Sequence, residues 1–409
     1  MRRGPLRERS FALLFAGQAV SAIGNRIVPV ALSFAVLDLT GSVSDLGVVL
    51  AAQTLPLLAF VLLGGVWADR LPRQLVMLVS DGVRALAQGL TAALLLTGSA
   101  HLWELVVLQA LYGAAVGFFG PAATALVPQT VAEGELQQAN ALLGLSSNAA
   151  DVLGPALAGV LVVAAGPGWG LAGDAVTFAA SAVLLGLMRV RPVATPGARR
   201  STFAELRAGW QAFRSRTWLW TTVAFFTLYV ALVYSPLIVL GPQVALRSLG
   251  GAGAWAAMGT TLGVGSIAGG LVGLRWRPRH PLRFTLCLFL FSGPVLFALL
   301  AAHAPLPAIL VVCLADGVAG TLFNVYWFTA LQRDVPAAEQ SRVSSWDYLG
   351  SLALQPVGLA ISGPVAAAVG LSTTLYGAGA LFLVLLAAVL AVPAVRNFSL
   401  DNETAAGRR

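Results

Sequence analysis

The chain has 409 residues, of which 58% are hydrophobic and only 10% charged, with a mean hydropathy of +0.83. Apolar runs of this length exclude a soluble domain and define a polytopic all-α membrane protein. The net charge of +8 comes entirely from arginine, placed in short loops and not on an aromatic-interleaved face, which excludes a nucleic-acid surface.

Taken in order, the sequence predicts spans near 11–37, 44–68, 75–97, 103–127, 139–165 and 169–188, then 218–246, 254–274, 284–302, 306–331, 345–367 and 371–393. Each is long enough, at about 1.5 Å per residue, to cross a hydrocarbon core of about 30 Å. Arg2, Arg3, Arg7 and Arg9 precede an apolar stretch too long for a signal-peptide core, so the first span is expected to stay uncleaved. All but Arg26, Arg84 and Arg247 of the 25 basic residues fall at the two ends or in loops on one side, which puts both termini in the cytoplasm.

The domains expected are a six-helix bundle over 1–189, a cytoplasmic linker with an amphipathic helix over 190–217, a second bundle over 218–395 and a tail over 396–409. An internal repeat supports the division. A shift of 204 residues sets Gly113 on Gly317, Phe119 on Phe323, Glu135 on Glu339, Gly154 on Gly358 and Gly159 on Gly363; a shift of 205 sets Gly64-Gly65 on Gly269-Gly270 and Arg70 on Arg275.

Between spans 2 and 3 runs Gly64-Gly65-Val66-Trp67-Ala68-Asp69-Arg70-Leu71-Pro72-Arg73, a charged turn between apolar helices. The glycines admit a neighbouring helix, an acidic group there can cap a facing helix N-terminus, and arginines anchor at anionic headgroups. Asp81 and Arg84, three residues apart in span 3, read as a local salt bridge supporting this turn.

Arg26 and Asp151 lie mid-span in spans 1 and 5, and Asp316 mid-span in span 10, with Gly320, Phe323 and Trp327 following it at helical spacing. An unpaired charge in hydrocarbon costs about 2.5–3.5 kcal/mol on insertion scales, so all three are candidates for coupling or substrate contact. Arg26 with Asp151 reads equally as a static ion pair or a titrating one, and Asp316 equally as a carboxylate bonded to a neighbouring hydroxyl. Asp174, early in span 6, is expected to reach external water. Tyr112, Phe119, Tyr229, Phe323 and Trp327 are the aromatic candidates for a substrate cavity. The two cysteines, Cys287 and Cys313, give no disulfide framework, and no nucleotide-binding loop, zinc spacing or nucleophile-base set occurs. No metal, cofactor or enzymatic activity is expected.

Two six-span halves, arginine-rich internal loops and Gly-x-x-x-Asp-Arg-x-x-Arg at Gly65, Asp69, Arg70 and Arg73 resemble the major facilitator superfamily over essentially the whole chain. Pro72 and Gln74 depart from the usual loop pattern. Gly154-Pro155-x-x-x-Gly159 resembles the glycine-proline motif of its drug/proton antiporters. Pro121 through Pro128 to Glu135-Leu136, with Asp81-x-x-Arg84, is similar to the macrolide-efflux and siderophore-exporter branch. A basic residue common in span 4 of such antiporters is missing.

The resemblance implies twelve transmembrane helices in two pseudo-symmetric bundles that rock about a central site. It also implies a gating latch from Gly65, Asp69, Arg70, Arg73, Asp81 and Arg84 against a helix start at Ser344-Ser345-Trp346-Asp347, and neighbouring spans 1 and 5, which would let Arg26 and Asp151 meet. The function implied is proton-coupled efflux of an amphipathic small molecule by a monomer in a bacterial cytoplasmic membrane. A facilitator or symporter, or a receptor or scramblase on the same scaffold, are the alternatives.

Overall fold

A computed structural model describes residues 4–68, 71–189 and 202–399. Among these every regular element is helical. The first six are α1 (Arg9–Thr40), α2 (Val43–Ala68), α3 (Arg73–Thr97), α4 (Leu102–Leu126), α5 (Leu136–Ala165) and α6 (Pro167–Gly186). The short α7 (Thr202–Arg214) precedes α8 (Thr217–Tyr229) and α9 (Ser235–Val244), then α10 (Ala252–Arg275), α11 (Pro281–Ala301) and α12 (Leu306–Asp334). The chain continues through α13 (Ala337–Leu352), α14 (Gln355–Val369), α15 (Leu371–Ala391) and the one-turn α16 (Pro393–Arg396).

Taking α8 with α9, and α13 with α14, as single crossings gives the twelve spans. Eleven helical segments among the described residues are long and apolar enough to cross a bilayer. The twelfth crossing is α3, which carries Arg73, Gln74, Asp81, Arg84 and Gln88.

Local chemistry explains where the helices end and bend. α1 and α3 stop at Gly41 and Gly98, both in the left-handed region (φ of 67° and 69°), where a side chain would be strained. α8 and α9 are joined by a π-helical turn at Val230–Tyr234. Pro236 just beyond it has no amide to donate, and its ring displaces the carbonyl one turn back. Ser235 Oγ donates to the Val230 carbonyl at 2.7 Å, satisfying one freed acceptor.

The eleventh crossing corrects one expectation. Its helix starts at Ala337, after Pro336 at the cap position, and not near residue 345. Proline's fixed φ and missing amide cost nothing at a helix start, so Ser344 to Asp347 lie inside α13 and form no cap.

The chain divides into two compact units, residues 1–196 with 245–260, and residues 197–244 with 261–409. The repeat is visible as equivalent close packing within each. In the first unit a Cβ at Gly113 would collide with the Gln53 carbonyl of α2; in the second, one at its repeat mate Gly317 would collide with the Leu262 carbonyl of α10. Gly154 brings α5 onto α1 at Ile23 and Arg26, and its mate Gly358 brings α14 onto Ala231 in the π-helical turn. Small residues let membrane helices approach closely enough for dispersion contact along the backbone.

Candidate functional site

The first unit holds a buried polar centre built by α1, α3, α4 and α6. On α3, one Asp81 oxygen pairs with Arg84, and the other accepts from Ser181 Oγ of α6 at 2.6 Å. Asp81 is 0% and Arg84 2% exposed. The Arg84 guanidinium lies 4.2 Å from the centroids of both Phe119 and Phe178, held between a ring of α4 and a ring of α6.

One turn along α3, Gln88 Oε1 accepts from Gln109 Nε2 of α4 at 3.1 Å, both side chains fully buried. Tyr112, 3% exposed, donates to Asn25 Oδ1 of α1 at 2.9 Å and meets Phe178 edge-on.

Asp174 of α6 completes the centre and corrects the expectation that it reaches external water: it is 0% exposed. Gly24 of α1 lies directly over it, so close that a Cβ there would collide with its carboxylate. Gln88, Thr177 and Arg84 surround it, yet neither of its oxygens has a hydrogen bond of ordinary length and angle. Gln88 Nε2, Gln109 Oε1, Arg84 Nε and Gln18 Nε2 are also buried without such a partner. Buried polar atoms are nearly always bonded, so Asp174, Gln88, Gln109 and Arg84, four residues of one centre each with an atom short of a partner, mark a special site.

The remaining sequence candidates fall in three places. Arg26 Nε and Asp151 Oδ1 form an ion pair of 2.5 Å between α1 and α5, with both side chains partly open at 49% and 30% exposure. Pro155 and Gly159, on the same helix, pack against Gly259 and Ala256. Arg73 donates to the Ala125 carbonyl at 2.8 Å, tying the start of α3 to the end of α4. Gln74, the departure from the family pattern, donates to the Leu185 and Met188 carbonyls and so closes the end of α6. Gly65 lies in α2, whereas Asp69 and Arg70 lie outside the described residues.

The second unit carries aromatics where the first carries charge. Phe323 meets Phe226, Phe289 and Trp327 with centroids 4.8, 6.2 and 5.7 Å apart, and Tyr229 meets Phe382 at 4.8 Å. Asp316 accepts from Ser292 Oγ of α11 at 2.7 Å. Trp327 donates its indole N–H to Asp347 at 3.0 Å and is 5% exposed. Tyr112, Phe119, Tyr229, Phe323 and Trp327 are thus split between the polar centre of one unit and the aromatic cluster of the other.

An apolar cavity of about 550 Å³ in the second unit is lined by none of these five. Trp210 and Phe213 of α7, Trp220 and Val223 of α8 and Trp346 of α13 form its walls, with Arg214 at one side. The signal for it was the i, i+3 pair Trp210 and Phe213 on a short amphipathic helix, whose rings stack at 5.6 Å.

Two units with equivalent internal packing, one holding a buried charged centre and the other an aromatic-lined cavity, define a membrane protein built on a duplicated helical bundle. The chain belongs to the Major Facilitator Superfamily, whose family model matches residues 14–358. It is 29% identical to the multidrug efflux pump Tap of Mycolicibacterium fortuitum, over 98% of this chain and 99% of that one. It is 23% identical to macrolide efflux protein A of Streptococcus pyogenes over 59% of this chain and 60% of that one. The crystal structure of the nucleoside transporter NupG matches with a TM-score of 0.75 over 93% of this chain and 99% of that one; at 14% identity this speaks to the fold.

Proposed function

We propose that this protein exports amphipathic small molecules across a bacterial cytoplasmic membrane by alternating access, in exchange for protons. The observation that carries the reading is the end-to-end similarity to a multidrug efflux pump. The site chemistry supports it. A lipophilic solute needs an apolar surface with few polar groups to orient it, which is the character of the Trp210, Trp220 and Trp346 cavity. A sugar or phosphate carrier would need many more amides or paired basic groups.

On this reading Asp316, beside the aromatic cluster, meets the cationic or hydrogen-bonding end of the solute, and the Arg26–Asp151 pair opens and closes with the cycle. Gly65, Asp69, Arg70 and Arg73, supported by Asp81 and Arg84, serve as the latch, the two bundles joined by the 190–217 linker rock against each other, and both termini face the cytoplasm in a monomer. Replacing Asp69 with Asn then slows turnover with little loss of affinity.

The test is proton movement in proteoliposomes carrying an internal pH dye, loaded with lipophilic cations or macrolide-like compounds. Efflux of the compound accompanied by internal acidification is the expected result, with reduced exchange in Asp316→Asn or Asp151→Asn. Solute movement without proton movement identifies a facilitator, and binding without flux identifies a receptor; either one overturns antiport.

A further inference from the structure

We propose that Asp174 is the site at which the coupling proton resides, and that Arg84 moves between Asp81 and Asp174 as the proton leaves and returns. The proposal rests on the antiport reading above and names the residue that performs it. Its first support is geometric. Asp174 is a fully buried carboxylate whose neighbours Gln88 and Thr177 make no hydrogen bond of ordinary length and angle to it, while Arg84 beside it is engaged by Asp81. A buried carboxylate left uncompensated is strongly destabilising when charged, and one guanidinium cannot pair fully with two carboxylates at once. In this arrangement Asp174 carries the proton, and its loss makes the carboxylate a competitor for Arg84.

The second support is independent and comes from the repeat. The aromatic pair around Arg84, Phe119 and Phe178, corresponds at a shift of 204 to Phe323 and Phe382. At a shift of 205 Arg84 itself corresponds to Phe289, which lies 6.2 and 6.3 Å from those two rings. Asp81 corresponds at the same shift to Leu286, and Asp174, on the helix of Phe178, corresponds at 204 to Ala378, both buried. The same packing is therefore built in the second unit without any of the three charges. Charges that a fold does not require, kept where they are most costly, point to a role in the transport cycle.

The groups facing Asp174 are few. From α3 come Arg84 and Asp81, and from α4 comes Tyr112. α1 presents Gly24, its own Arg26 being paired with Asp151, the one ionisable residue of α5. Tyr112 in turn donates to Asn25 of α1, which is half-buried, so the polar groups beside Asp174 extend to α1. The step is a proton transfer alone: a proton joins a carboxylate oxygen of Asp174 from one side and leaves it toward the other.

The experiment uses the full chain in proteoliposomes with tetraphenylphosphonium and the compounds of the panel above. Two readouts are compared: substrate-coupled internal acidification, and counterflow of labelled compound between equal pools, which needs conformational cycling but no net proton movement. The expected result is that Asp174→Asn loses acidification and keeps counterflow. Acidification at the wild-type rate in Asp174→Asn overturns the proposal and leaves antiport standing. Loss of counterflow in a folded Asp174→Asn overturns it in favour of a structural role. Absence of acidification in the wild type overturns antiport and this proposal together.

Should Asp174→Asn not fold, Gln88→Leu decides. It removes the amide beside the carboxylate, and the second unit has only Gly293 at that position. Without the amide the charged carboxylate is favoured less, so the pH midpoint of acidification should rise; an unchanged midpoint overturns the proposal.

Discussion

The two units build the same aromatic triangle around different centres. In the first, Phe119 and Phe178 enclose the guanidinium of Arg84; in the second, Phe323 and Phe382 enclose the ring of Phe289. A phenyl ring at the centre asks nothing of its surroundings, and Leu286 and Ala378 suffice beside it. A guanidinium must be neutralised and bonded, so Asp81, Ser181, Gln88 and Asp174 gather around Arg84. The comparison teaches that duplication fixed the scaffold, while the chemistry was concentrated in one copy. In the other copy Asp316 is met by Ser292 and Asp347 by Trp327, while Asp334 takes both the Trp218 indole and Arg216.

The largest expected effect comes from removing the centre of the charged triangle alone. Arg84→Ala leaves Asp81 buried without its partner and should cost about 3–5 kcal/mol, seen as a large drop in the thermal unfolding midpoint in detergent. Converting the whole centre to its repeat counterpart sharpens the contrast. The triple variant Asp81→Leu, Arg84→Phe, Asp174→Ala should unfold near the wild-type temperature and yet show no proton-coupled efflux. Instability as severe as that of Arg84→Ala would break the equivalence of the two triangles.

Next in size are the close helix approaches. Gly113→Val and Gly317→Val each drive a side chain into a facing backbone carbonyl and should cost about 1–3 kcal/mol. The comparison requires the two losses to be alike in thermal unfolding, because the two glycines do the same work in the two copies. An effect of the same order on stability is expected in the aromatic unit. Ser292→Ala removes the donor to Asp316, a loss of about 1–3 kcal/mol for a buried group left unsatisfied. It should show in transport assays as a changed KM for cationic solutes with little change in maximal rate.

Much of the fold was legible from residues alone. Long apolar runs gave the spans, arginine placement gave an expected orientation, and the 204-residue repeat anticipated that Gly113 and Gly317, and Gly154 and Gly358, would play matching parts. The Arg26–Asp151 pair followed from matched depth in helices that neighbour each other in the family. The site was less legible. Asp174 looked like an end-of-span residue near water, because distance along a helix says nothing about which face is turned inward. Asp81 and Arg84 looked like a local loop support, because i, i+3 spacing predicts their contact but not the two rings and the serine that enclose it. Ser344 to Asp347 looked like a cap, when Pro336 had already started the helix.

The sequence by itself determined the class of this protein, the number of its crossings and the duplicated plan of its two units. These depend on properties summed along each helix, namely length, hydropathy and the spacing of glycine and charge. Only the tertiary structure decided which polar groups share a buried space. That depends on how each helix is rotated about its axis and how closely Gly24 lets α1 settle over Asp174, quantities that no single segment of the chain encodes.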